Sequence, residues 1–176
     1  KRVAESVWDA EIGRWSHLKG MTVSKIIGTE KQRLTALKAK ADIYTVGRDN
    51  TAWLCAQFGG TSLPFEWIII DELSSYKNPK SMRFKALRRA IKSVDRVTGL
   101  TGTPAPNGYL DLWSQLYLMD GGERLGLTIT KYRDVYFTKK FSGWGYDARD
   151  GAEEEINKKI GDIVISMTKK DYLDLP

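Results

Sequence analysis

Cysteine and histidine are almost absent: Cys55 and His17 are the only ones in 176 residues. One cysteine excludes an intrachain disulfide, and the pair cannot assemble a Cys/His zinc site. Neither residue is assigned a chemical role. The N-terminus has no charged stretch leading into a hydrophobic run and a small-residue cleavage site, and no apolar run approaches the ~20 residues that span a bilayer. Export and membrane insertion are therefore not expected, and the chain reads as intracellular. What is present is ordinary for a globular domain, with 41% hydrophobic and 28% charged residues. The length suits one domain with a substantial core. The net charge is +6 and favours a polyanionic partner.

Hydrophobic spacing alternates between helix and strand periods. Val3, Val7, Trp8, Ile12 and Trp15 lie at helical spacing over residues 3 to 18. Short strands are predicted at Val23 to Ile27, Ile43 to Val46 and Val94 to Leu100, with helices over Glu30 to Lys40, Asp49 to Phe58 and Leu110 to Met119. Trp67 to Ile70 is apolar without alternation, the pattern of a parallel strand buried on both faces. Asn78 as N-cap and Pro79 at the first position predict a helix running to Lys92. Strands and helices in this alternation predict an α/β three-layer sandwich with a mainly parallel sheet. Beyond Asp120 the rhythm breaks. A hairpin is expected over Lys139 to Ala148, a helix over Ala152 to Lys159, and a closing strand over Ile163 to Met167.

Two segments carry chemistry. The apolar strand runs into Asp71-Glu72, and a buried parallel strand delivers such residues to the ligand edge of an open sheet, where paired carboxylates suit a magnesium nucleotide. A solvated acidic turn gives the same local pattern. Gly99-Leu100-Thr101-Gly102-Thr103-Pro104 ends the next strand; its small and hydroxylated residues allow close approach of a phosphate or a facing carboxylate, or form a plain Gly/Pro turn.

In combination, Asp71-Glu72 followed by a basic helix and by Thr101-Gly102-Thr103-Pro104 resembles motifs II and III of superfamily-two helicase-like ATPases, in wording similar to the Swi/Snf branch. Trp8 and Glu11 resemble the family's Trp-x-x-Glu after motif Ia, and Tyr44-Thr45 the strand ending in a DNA-contacting threonine. Lys77-Asn78, Asn107, Leu112-Trp113, Thr168-Lys169-Lys170-Asp171 and Leu175-Pro176 match further family segments. The resemblance spans residues 1–176 as part of a RecA-like P-loop NTPase lobe, and is weakest over 121–152, a candidate insertion or hairpin. It implies ATP and Mg²⁺ as cofactors, Asp71 as the metal ligand, Glu72 as the residue polarising the attacking water, and 101–104 as the coupling segment. It further implies duplex DNA as partner, with Arg2, Thr45, Lys77 and Asn78 as contacts.

Departures are specific. Ser74 stands where the family commonly has histidine, and Ser166-Met167 where it has an arginine pair. No G-x-x-x-x-G-K-[ST] occurs. The resemblance places that loop and its strand before Lys1 and the second lobe after Pro176, so an isolated chain is expected to be inactive and to self-associate through an open sheet edge. Lys85, Arg88, Arg89 and Lys92 form a basic face opposite Phe84, Leu87 and Ile91, either solvated or contacting DNA phosphates or a protein. A strand-separating helicase or restriction motor, or a non-catalytic nucleic-acid-binding module, are the competing functions.

Overall fold

The computed structural model describes residues 8–105 and 108–166. Arg2, Asn107, the 168–171 segment and Leu175-Pro176 lie outside them. In chain order the elements are α1 (Trp8–Arg14), β1 (Val23–Ile26), α2 (Glu30–Lys38), β2 (Ile43–Val46), α3 (Thr51–Gln57), β3 (Trp67–Asp71), α4 (Met82–Ala90), β4 (Arg96–Leu100), α5 (Leu112–Asp120), α6 (Ile129–Tyr136), β5 (Phe137–Lys139), β6 (Tyr146–Ala148) and α7 (Ala152–Ile160).

The alternation produces parallel pairing, because each strand returns through a helix. β1 pairs with β2 and β3 with β4, both parallel, while β5 and β6 form an antiparallel hairpin. The two parallel ladders are separate two-stranded sheets among the described residues, not the single sheet expected from the pattern. Local periodicity fixes each strand but carries no information on which edges meet.

The apolar run at β3 also differs from expectation. Ile70 is buried, but Trp67 and Ile69 are 51% and 42% exposed. Residues 67, 69 and 71 share one face with 96, 98 and 100. That outer face is uncovered, held locally by a Trp67 Nε1 to Thr98 Oγ1 hydrogen bond of 3.0 Å. The inner face packs into a continuous core that includes Leu73, Phe84, Leu87, Trp113, Tyr117 and Tyr132.

Helix starts follow side-chain capping where a partner N–H is available. Thr29 and Gln32 form a reciprocal capping box at α2. α4 begins later than Asn78-Pro79 suggested: Ser81 accepts from Phe84 N at 3.3 Å, and the Asn78 carboxamide is used in its own turn, accepting from Lys80 N at 2.9 Å. α6 was not anticipated, although Thr128 caps it and Tyr132 and Tyr136 repeat at i, i+4 on its buried side. No strand forms over 163–166. The N–H groups of Ile163 and Val164 both bond back to Ile160 O at 3.0 Å, winding the chain into a turn, and Ile165 is 82% exposed.

Candidate functional site: the C-terminal ends of β3 and β4

In a parallel ladder both strands deliver their last residues to the same edge, and Asp71 lies in register with Leu100. The chain therefore brings Asp71-Glu72 and Thr101 to Pro104 together. Leu73 turns inward immediately after the carboxylates and is packed over Gly99; any Cβ there would collide with its side chain. This glycine allows the two loops to approach each other.

Glu72 is the only non-glycine residue at positive φ among the described residues, with φ 55° and ψ 58°. A left-handed glutamate is strained by ~1–2 kcal/mol and persists where its surroundings impose it. Those surroundings are visible. Ser74 Oγ donates to Glu72 Oε1 at 2.6 Å, and Thr101 Oγ1 approaches the same oxygen at 3.4 Å. Thr103 N donates to Thr101 Oγ1 at 3.3 Å. Glu72 is thus linked to the Thr-Gly-Thr-Pro loop through its carboxylate, and Ser74 orients it from its own loop. Asp71 has an exposed side chain on the same edge.

Two further residues support this edge, and sequence reasoning missed them. Ser114 and Gln115 are polar yet fully buried in the middle of α5 (1% and 0% exposed). Ser114 Oγ donates to Lys77 O at 2.7 Å; Gln115 Nε2 donates to Pro104 O at 2.5 Å and to Asp111 O at 2.9 Å. One helix therefore fixes the loop after Asp71-Glu72 and the loop after β4, since buried polar groups need partners and each partner sets a loop position. The signal was available: two adjacent polar residues interrupt the otherwise apolar run Leu112 to Met119.

The remaining candidates are spread out. Lys77 is half-buried and pairs with Asp111 at 3.8 Å, and Asn78 is exposed. Thr45 is buried within β2, at 7% exposure. Trp8 and Glu11 both lie on α1, where Glu11 pairs with Arg14 at 2.8 Å.

Among the described residues no three Asp, Glu, His or Cys converge to hold a metal ion by themselves. The donor set fits a nucleotide-borne Mg²⁺, which keeps several waters and needs only one or two protein carboxylates besides the phosphates.

Known proteins resemble this chain in sequence and in fold. The model of the SNF2-related domain matches residues 1–123. A putative protein p41 from Acyrthosiphon pisum secondary endosymbiont phage 1 is 40% identical over 99% of this chain and 40% of its own length. Helicase SWR1 of Cryptococcus neoformans is 37% identical over 84% of this chain, which covers 12% of that protein. The chain thus spans two fifths or less of these curated relatives. Among solved structures, the Sulfolobus solfataricus SWI2/SNF2 ATPase core in complex with dsDNA matches with a TM-score of 0.67 and 23% identity. That match covers 93% of this chain and 31% of that one, and at this identity it establishes the RecA-like fold. No helix among the described residues is long and apolar enough to cross a membrane. With the family match extending over more than half of its residues, this chain belongs to the SNF2-related domain family of helicase-like ATPases.

Proposed function

We propose that in the complete protein this chain supplies the hydrolytic edge and part of the DNA track of a motor that couples ATP hydrolysis to movement on double-stranded DNA. The observation carrying this reading is the strained Glu72, tied through one carboxylate oxygen to both Ser74 and Thr101. Bound Mg·ATP supplies the phosphoryl group that is transferred to water. Asp71 holds the metal ion, directly or through water, and Glu72 polarises the attacking water. The coupling segment is Thr101, Gly102, Thr103 and Pro104: displacement of Thr101 alters the environment of the Glu72 carboxylate, and Gln115 passes the displacement into α5.

Lys77 and Asn78 offer phosphate contacts on the described surface, and Arg2 and Thr45 complete the proposed set. Such contacts bind without reading sequence and weaken with salt. No P-loop motif lies within these residues. The phosphate cradle is therefore assigned to another part of the complete protein, and the isolated chain is expected to release no phosphate from ATP. The edge of β4 left open among the described residues, with the uncovered Trp67, Ile69 and Leu100 face beside it, is expected to pair with a second copy when the chain stands alone; sedimentation as a strict monomer contradicts that.

The test is strand displacement from a DNA triplex by the complete protein. A motor moving along duplex DNA displaces the third strand with ATP and leaves a forked duplex intact, and Asp71→Ala abolishes displacement. Unwinding of the fork would assign a strand-separating helicase instead.

A further inference from the structure

Away from the strand-end edge, the chain carries an open cleft of about 440 Å³ lined by Lys85, Arg88, Arg89, Lys92 and Tyr117, with no carboxylate in its wall. The four cations are not equivalent. Arg88 is half-buried, stacks over the Tyr117 ring at 4.4 Å and donates to Leu127 O at 3.2 Å. It forms part of the packing of α4 on α5. Lys85, Arg89 and Lys92 are exposed, and their side chains have no hydrogen-bond or ion-pair partner among the described residues. Neighbouring cations do find partners, as with Arg83 and Asp49 at 3.3 Å. Unscreened like charges one helical turn apart repel by a few tenths of a kcal/mol per pair. A solvated surface ordinarily intersperses both signs, and this cleft does not.

The spacing suits a linear polyanion. Lys85, Arg89 and Lys92 fall at i, i+4 and i+7 and rise along the helix by ~10 Å. Phosphates of one DNA strand rise by ~3.4 Å each, so a span of this length reaches from one phosphate to the third beyond it. The position separates this cleft from the hydrolytic edge. α4 runs through the turn Ile91–Ser93 into the start of β4, whereas Asp71 and Leu100 lie at the other ends of their strands.

We propose that this cleft is a second nucleic-acid site, which binds the phosphate backbone of a DNA segment other than the one at the strand ends. The proposal rests on the DNA-binding reading above. It adds a second contact point, so that the domain holds two segments of duplex.

The test titrates the 176-residue chain with a short duplex of mixed sequence, following anisotropy across a salt series, and counts duplexes bound at low salt. Wild type is compared with K85Q/R89Q/K92Q, which keeps Arg88, and with K77Q at the strand ends. The expected result is two duplexes per wild-type chain and one per triple-variant chain. The slope of log K against log salt for the second site should be lost with the triple variant, ~0.9 for each contact removed. A folded triple variant with unchanged stoichiometry and slope, while K77Q lowers the slope, overturns this proposal and leaves the DNA reading intact. Absence of duplex binding by wild type overturns both. In a parallel titration with polyglutamate, loss of its binding in the triple variant without loss of duplex binding assigns the cleft to an acidic protein segment and also overturns the proposal.

Discussion

The loops at the ends of β3 and β4 and the helical body that carries them are built on opposite terms. In the body, Phe84, Trp113 and Tyr132 are each 1% exposed, and their polar atoms are satisfied: Trp113 Nε1 donates to Gly126 O and Tyr132 OH to Tyr109 O, both at 2.8 Å. Burial pushes the Tyr132 phenol up, keeping it neutral and donating. At the loops, Asp71 and Glu72 are exposed and Glu72 sits in a conformation that costs energy. Stability resides in the body and the proposed chemistry in the loops. The two are joined by a few buried polar contacts from Ser114 and Gln115, together with the Leu73 and Gly99 approach.

The largest expected effect comes from damaging the body. Trp113→Ala removes a fully buried ring that packs against Phe84 at 5.9 Å and Tyr117 at 5.2 Å. It should cost ~3–5 kcal/mol, a large part of the stability of a domain this size. Denaturant unfolding measures this. A loss below ~1 kcal/mol would mean that the core lies elsewhere.

Glu72→Gly sharpens the comparison from the other side. Glycine accepts positive φ without strain, so the variant should be as stable as wild type or more stable by up to ~1 kcal/mol. The same change removes the proposed catalytic carboxylate. Thermal unfolding reads the stability, and a clear drop in Tm would show that the contacts from Ser74 and Thr101 support the fold and not the chemistry.

A smaller effect belongs to the pair that closes the far end of the body. Arg124 donates from Nε and Nη2 to the Asp162 carboxylate at 2.8 and 2.6 Å, and this hydrogen bonding holds the Asp162 carboxyl below the usual carboxylate range. A depressed folded-state value means that the pair's contribution is complete above the unfolded value of ~3.9 and is lost as pH falls through the folded one. Because Asp162 is exposed, the contribution is small. Asp162→Asn should therefore lower Tm slightly at neutral pH and converge with wild type as pH falls through the lowered folded-state value. An offset that stays constant through the acid range would show that the carboxylate charge plays no part.

How much of this was legible in sequence follows the same division. The strand running into Asp71-Glu72, the Thr101 to Pro104 segment, and most helices and strands are fixed by local pattern, and they were read within a few residues. The register of Asp71 beside Leu100 was not legible, because local pattern does not say which strands meet. The left-handed Glu72 and its hydrogen bond from Ser74, only two residues away, depend on backbone geometry that no spacing specifies; Ser114 and Gln115 stand out as polar residues in an apolar run, but their partners Lys77 and Pro104 come from other loops and were not legible. The start of α4 was misread because two capping residues compete three positions apart. The exposed face of Trp67 and Ile69 escaped because an apolar run predicts burial without naming what covers it.

The most direct measurement is Glu72→Gln in the complete protein, with nucleotide affinity and DNA-stimulated phosphate release determined on the same preparation. The amide keeps the size of the side chain and can still hydrogen-bond to Ser74 and Thr101, but it cannot polarise the attacking water. Turnover should fall by a factor of ~10² or more while nucleotide affinity stays within a few-fold of wild type. Equal loss of affinity and turnover, or turnover that survives, would contradict the assignment of Glu72 as the residue that acts on water.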